Sequence, residues 1–189
     1  MASVAWHDAR VDDRSAVDAV LGGDRDAFRV IVDQAQGPVF RTCLRILGSA
    51  ADAEDAAQET FVTAFRSLAS YRGDGPLQAW LVRIATRIAY RRRLGRRPAD
   101  DLRGVDLPSA HGADDPVAAT LSGERRAMVR NAVAALDDPY REVVALRYFG
   151  ELSLDEVAAA TGRPLNTIKT QLRRGLQRLA PALGGEADR

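Results

Sequence analysis

LSLDEVAAATGRPLNTIKTQLRRGLQRL, residues 152–179, decides how this chain is read. Leu154, Val157 and Ala158 fall on one face of a short helix, and Ser153 with Glu156 has the S-x-x-E spacing of a capping box. Thr161, Gly162 and Arg163 make a tight break, and Pro164 opens a second helix, where its missing N–H costs nothing. Along that helix Leu165, Ile168, Leu172, Leu176 and Leu179 form one apolar stripe. Asn166, Thr167, Thr170, Arg173, Arg174 and Gln177 cover the opposite side, with Lys169 on the flank.

Two short helices joined by a Gly-containing turn are the signature of a helix-turn-helix, whose second helix enters the DNA major groove. The exposed residue types suit that task. Arginine and lysine contact phosphate or guanine, and asparagine and threonine contact adenine or the thymine methyl. Residues 161–179 contain no acid, so no carboxylate faces a phosphate. The competing reading is an ordinary amphipathic helix with a solvated basic face. Whether Lys169 meets a base or only a phosphate stays open.

The remaining composition restricts the classes. The chain has 189 residues and a formal net charge of +1, with 46% hydrophobic and 28% charged residues, a soluble globular balance. Lys169 is the only lysine, so 26 of the 27 basic residues are arginine, whose planar fork suits phosphates and guanine edges. Cys43 is the only cysteine, which excludes an internal disulfide and a thiolate metal site; its apolar surroundings predict a buried small hydrophobe. No apolar run reaches the ~18 residues of a membrane span, and the N-terminus lacks a signal-peptide core. A cytoplasmic protein without membrane insertion is expected.

Helical periodicity predicts helices at about 15–21, 25–36, 38–47, 52–70, 77–94, 117–135, 140–149, 153–160 and 165–179, with almost no strand signal. Asp24 and Asp52 stand where N-cap acceptors are needed, and Pro38 and Pro76 where first turns begin. Residues 97–116 carry three prolines, two glycines and five aspartates, and read as a flexible acidic linker. The expected architecture is all-α: a disordered N-terminus (1–14), a helical domain (15–95), a linker (96–116), a helix-turn-helix domain (117–180) and a tail (181–189).

Two further stretches carry information. In DAEDAAQETFVTAF (52–65), Ala53, Ala57, Phe61, Ala64, Phe65 and Leu68 are expected to face inward. Asp55, Gln58 and Glu59 share one exposed face, either solvated or a protein-docking surface; no second carboxylate motif or histidine accompanies them for metal or acid–base chemistry. In YRGDGPLQAWLVRIATRIAYRRRLGRR (71–97), Leu77, Leu81, Ile84, Ala85 and Ile88 form an apolar stripe, and residues 87–97 hold six arginines without an acid. Tyr71, Trp80 and Tyr90 are interleaved with the basic residues, the ingredients of single-strand binding. For Trp80 a core position is the competing reading.

In this order, D-A-E-D-A-A-Q-E-T-F, then Y-R-G-D-G-P-L-Q-A-W-L-V-R-I-A, an arginine run, a linker and the terminal helix-turn-helix resemble the bacterial RNA polymerase sigma factors of the two-domain extracytoplasmic-function (ECF) group. The resemblance spans roughly residues 20–180. It implies partners: core RNA polymerase, through the clamp helices of its largest subunit and its flap region, and promoter DNA. An anti-sigma factor is a further partner known for many relatives, though no residue here marks one.

The resemblance also implies roles. Asp55, Gln58 and Glu59 match the polymerase-docking face. Tyr71, Arg72, Asp74 and Trp80 lie in the segment that captures a flipped base of the melted −10-type element. Arg83, Arg87, Tyr90 and Arg91 lie on the helix along the non-template strand. Asn166, Thr167, Lys169, Thr170, Arg173 and Arg174 match the reader of the −35-type duplex. Arg87 and Arg91 depart from the family pattern, which commonly places an asparagine and then an acid there. No cofactor, metal or catalytic residue is implied. The alternative function is a stand-alone helix-turn-helix repressor or activator, which would bind duplex without polymerase.

Overall fold

The computed structural model describes residues 13–95 and 116–184, with the backbone alone for residues 116–122. Residues 1–12, most of the expected linker and the end of the tail lie outside the described residues. Those described form eight α-helices and no strand: α1 (Asp13–Leu21), α2 (Arg25–Leu47), α3 (Ala50–Ser67), α4 (Leu77–Leu94), α5 (Pro116–Ala134), α6 (Tyr140–Tyr148), α7 (Leu154–Thr161) and α8 (Leu165–Leu179). No helix among them is long and apolar enough to cross a membrane.

Helices α1–α4 pack around a core of small and branched side chains, including Val39, Ile46, Ala53, Ala64, Leu81 and Ala85. The alanines of α3 let its backbone approach α2 and α4 closely, so few aromatics are needed to fill the interior. Thr42, Thr60 and Thr86 are buried, and each hydroxyl donates to the carbonyl four residues back, which satisfies its hydrogen bond without a second helix. Cys43 is fully buried, and burial pushes its thiol up to about 12.

Local chemistry explains most boundaries. Asp24 caps α2, its carboxylate accepting from the amides of Asp26 at 2.9 Å and Ala27 at 3.2 Å. Gly48 ends α2 in the left-handed conformation with φ 75°. Two expectations fail here. The break at Pro38 does not occur: α2 runs through it, because proline forfeits one backbone bond while the surrounding core residues Ala35, Val39 and Thr42 hold both halves on one axis. Asp52 is not the cap of α3. Ser49 caps it and accepts from the Asp52 amide at 3.4 Å, leaving Asp52 in the first turn.

The C-terminal group, α5–α8, contains the expected helix-turn-helix. Ser153 and Glu156 form the capping box: the Ser153 amide donates to the Glu156 carboxylate at 2.8 Å, and the Glu156 amide donates to the Ser153 hydroxyl at 3.2 Å. Gly162, with φ 68°, terminates α7, and Pro164 stands at the N-cap of α8. Ile168 and Leu179 of α8 are buried, but Leu176 is 39% exposed. Gly175 takes its place at the interface; a Cβ there would lie 2.8 Å from Val144 Cγ2. The buried face is therefore rotated from the leucine stripe toward the glycine.

The two groups pack together. Ala79 and Val82 of α4 share one buried cluster with Val143, Leu146, Leu152, Val157 and Ile168 of the C-terminal group. The approach is close: a Cβ on Gly75 would meet the Ala159 Cβ at 2.6 Å, and one on Gly150 would meet Val82 Cγ1 at 2.7 Å.

Candidate nucleic-acid interface

The outer face of α8 is open. Asn166, Lys169, Thr170, Arg173 and Arg174 are exposed, Thr167 is half-buried, and the Thr170 hydroxyl donates to the Asn166 carbonyl. Among the described residues Lys169, Arg173 and Arg174 make no ion pair. Arg178, further along, lies over the Tyr140 ring at 4.2 Å and reaches Asp137 at 3.8 Å, so its charge is directed back to its own domain.

The surface on α4 is built differently. Tyr71 and Trp80 meet at 5.8 Å between ring centroids, both half-buried against the N-terminal core, and the Tyr71 hydroxyl donates to the Gly75 carbonyl at 2.6 Å. Trp80 therefore joins both readings of it: one part packs on the core, another lines a cleft of about 510 Å³. Arg72 and Asp74 pair at 3.0 Å on the exposed loop at the same cleft. Arg83, Arg87 and Arg91 project from α4 along its other wall. The far side is formed by Ala159, Ala160, Thr161 and Gly162, which belong to the helix-turn-helix.

Most of these arginines have acidic partners. Arg83 Nε donates to Glu142 Oε1 at 3.1 Å, and its Nη1 donates to the Ala160 carbonyl at 2.8 Å. Arg87 Nε lies 3.4 Å from the same carboxylate oxygen, and Arg163 binds the other oxygen, Oε2. The Glu142 side chain is only 10% exposed. Burial alone would push its carboxyl up; the guanidinium groups of Arg83 and Arg163 outweigh that and hold it below the ordinary carboxylate range. Arg91 pairs with Glu59, and Arg92 binds the same carboxylate at 2.7 Å.

Tyr90 corrects the sequence reading. It is 6% exposed, in the core beneath α4, and its hydroxyl has no hydrogen-bond partner among the described residues. Burial pushes that hydroxyl well above its ordinary range. Its ring is packed into the hydrophobic core, so it offers no exposed face to a base. Phe65 is the opposite case. Expected inside, it is 44% exposed and packs edge-on against Phe28 at 5.0 Å.

The acidic face on α3 is divided. Asp55 and Gln58 are exposed, whereas Glu59 is engaged by the two arginines. Glu142 and its arginine set were invisible in the sequence. The only local signal was an acid in α6 with no partner at helical spacing; the partners lie 59 and 21 residues away, in Arg83 and Arg163.

This geometry, an all-α chain with a basic helix-turn-helix and a second basic helix bordered by aromatics, defines a DNA-binding protein of two helical domains. Residues 31–98 match the family model for sigma-70 region 2, and residues 126–179 match that for sigma-70 region 4. The chain is 33% identical over 179 residues to the ECF RNA polymerase sigma factor SigW of Bacillus subtilis, covering 90% of this chain and 96% of that one. It is 31% identical over 180 residues to the RNA polymerase sigma-H factor of Pseudomonas aeruginosa, covering 90% and 93%. Among solved structures, CnrH in complex with the cytosolic domain of CnrY is similar at a TM-score of 0.62 and 24% identity, covering 91% of this chain and 97% of that one. The chain belongs to the sigma-70 family of RNA polymerase sigma factors, in the ECF group, whose members direct promoter-specific transcription initiation.

Proposed function

We propose that α8 reads the −35-type duplex through Asn166, Thr167, Lys169, Thr170, Arg173 and Arg174. The observation that carries this is the exposed, acid-free face of α8 beside the paired arginines of α4. The downstream reader is the cleft of Tyr71, Arg72, Asp74 and Trp80, continued by Arg83, Arg87 and Arg91. A base flipped from the duplex gains stacking and hydrogen bonds there that the paired base lacks, so melting follows from differential binding.

Asp55, Gln58 and Glu59 supply the polymerase-docking face, on the clamp helices of the largest subunit, while the C-terminal domain meets the flap. The domains run over about 15–95 and 117–180, joined by the acidic linker. The protein acts in the cytoplasm without chemistry of its own; the polymerase makes the bonds. An anti-sigma protein is a further partner in this reading. The sigma factor RpoE from Bartonella quintana has been solved in complex with the anti-sigma factor NepR.

Transcription from a promoter library with purified core polymerase tests the division of labour. Arg174→Ala blurs the choice of upstream element while core binding persists. Asp55→Ala with Gln58→Ala loses core binding while duplex recognition persists. An Arg174→Ala chain that selects promoters as the wild type does removes α8 from the reader's role.

A further inference from the structure

Helix α1 carries none of the expected contact residues, yet its first residue reaches the segment that does. The N-terminus of α4 has no cap of its own: Pro76 stands at the N-cap without a side-chain acceptor, and the first turn contains no acid. The acceptor comes from 64 residues away. The Leu77 amide donates to Asp13 Oδ2 at 2.9 Å in a partly buried hydrogen bond. Leu77 is 4% exposed, so without Asp13 its amide would lose an acceptor where water has little access. Asp13 stands on a fixed base, because Val17 of the same helix is buried in the core of α1–α4.

The capped turn carries the downstream reader. The Ala79 and Trp80 amides donate to the Pro76 carbonyl at 3.0 and 3.3 Å, which places Trp80 one turn from the cap. On the other side the Tyr71 hydroxyl closes the loop by donating to the Gly75 carbonyl at 2.6 Å, and Gly73, with φ 75°, makes the bend. Tyr71 and Trp80 therefore meet, at 5.8 Å between ring centroids, across a loop fastened at both ends.

From this arrangement we infer that Asp13 is a positioning residue for the downstream reader: by capping α4 from α1, its carboxylate holds Tyr71 and Trp80 in the shape that receives a flipped base. The inference rests on the reading of Tyr71, Arg72, Asp74 and Trp80 as that pocket. Asp13 contacts no base and acts through the Leu77 amide. A carboxylate at a helix N-terminus is favoured both by the hydrogen bond and by the helix dipole. Without it the first turn of α4 frays and Trp80 shifts from Tyr71, so the pocket loses its shape while keeping every contact residue. Such displacements weaken an interaction that depends on orientation.

The test uses holoenzyme assembled from core polymerase and the full chain. One probe is a forked template carrying the downstream element of a promoter that the wild type selects from a library. The other is the same template with an abasic site at the element position where base removal costs the wild type most. The ratio of the two affinities measures capture of the base and does not depend on how much of the protein is active. Asp13→Ala should lower that ratio by about 5-fold, the worth of one N-cap, with affinity for the abasic template and for the −35-type duplex unchanged. Asp13→Asn keeps an acceptor oxygen and should retain the wild-type ratio, since asparagine caps about as well as aspartate.

A wild-type ratio in Asp13→Ala overturns the inference, even with a lowered thermal midpoint, because Asp13 would then serve stability alone. A ratio as low in Asp13→Asn as in Asp13→Ala overturns it too, because the hydrogen bond to Leu77 would not be the cause. If no abasic position costs the wild type affinity while specific initiation persists, the pocket assignment itself fails and the inference with it.

Discussion

The two basic surfaces use the same side chain to opposite effect. On α8, Arg173 and Arg174 stand in solvent with no ion pair among the described residues. On α4, Arg83 and Arg87 share the carboxylate of Glu142, and Arg91 shares that of Glu59. Composition counts these arginines alike. Availability distinguishes them, and it is decided by acids that lie far away in sequence. A free arginine raises DNA affinity directly, whereas a paired one contributes only after its partner has been displaced.

The largest expected effect comes from removing the base on which the open surface stands. Ile168 is fully buried where α6, α7 and α8 meet α4. Ile168→Ala should cost about 2–5 kcal/mol, read as a lower thermal midpoint, and should abolish duplex binding along with the interdomain contact. Arg174→Ala comes next, at about 1–3 kcal/mol of discrimination at one promoter position, with no shift in thermal midpoint. If the midpoint falls, Arg174 is a packing residue and the contrast between the two surfaces is weaker than drawn.

Acid should act on the paired surface of α4 through Glu142. The carboxyl of Glu142 is held below the ordinary range, so its ion pairs stabilise the folded arrangement at and above that range and are lost as pH falls through the depressed value. Stability measured from neutral pH downward should therefore decline more steeply in the wild type than in Glu142→Gln. Equal slopes would mean that the carboxylate holds nothing together.

The smallest effect belongs to Glu59. Its pairs with Arg91 and Arg92 are partly exposed, and exposed ion pairs contribute about 0–1 kcal/mol. Glu59→Gln should leave the thermal midpoint nearly unchanged and weaken core binding. A large drop in midpoint with core binding retained would reassign Glu59 from docking to holding α3 and α4 together.

Local signals served well where one stretch of chain determines the outcome. The capping box at Ser153, the Asp24 cap and the break at Gly162 each involve partners within four residues, and each stands as the sequence implies. Pro38 misled because neighbouring core contacts outweigh one missing backbone bond. Tyr90 misled because a pattern of aromatics among arginines does not reveal which way each points. Leu176 gave way to Gly175 because close helix approach favours the residue without a side chain. The interdomain contact was illegible for a different reason: Arg83 and Glu142 are 59 residues apart, and nothing local records that they meet.

The interdomain contact that pairs Arg83 and Arg87 of α4 with Glu142 of α6 can be followed directly by distance. Ser15 on α1 is exposed, as is Ala182 near the C-terminus, so cysteines placed there report the separation of the domains. Cys43 does not interfere, because burial pushes its thiol to about 12 and leaves little reactive thiolate. Spin labels on a Ser15→Cys, Ala182→Cys chain should show one short distance in the free protein. That distance should lengthen by tens of ångströms, on the order of the ~85 Å between promoter elements at ~3.4 Å per base pair, when core polymerase and promoter are added. A distance unchanged while the same sample initiates transcription would contradict the account.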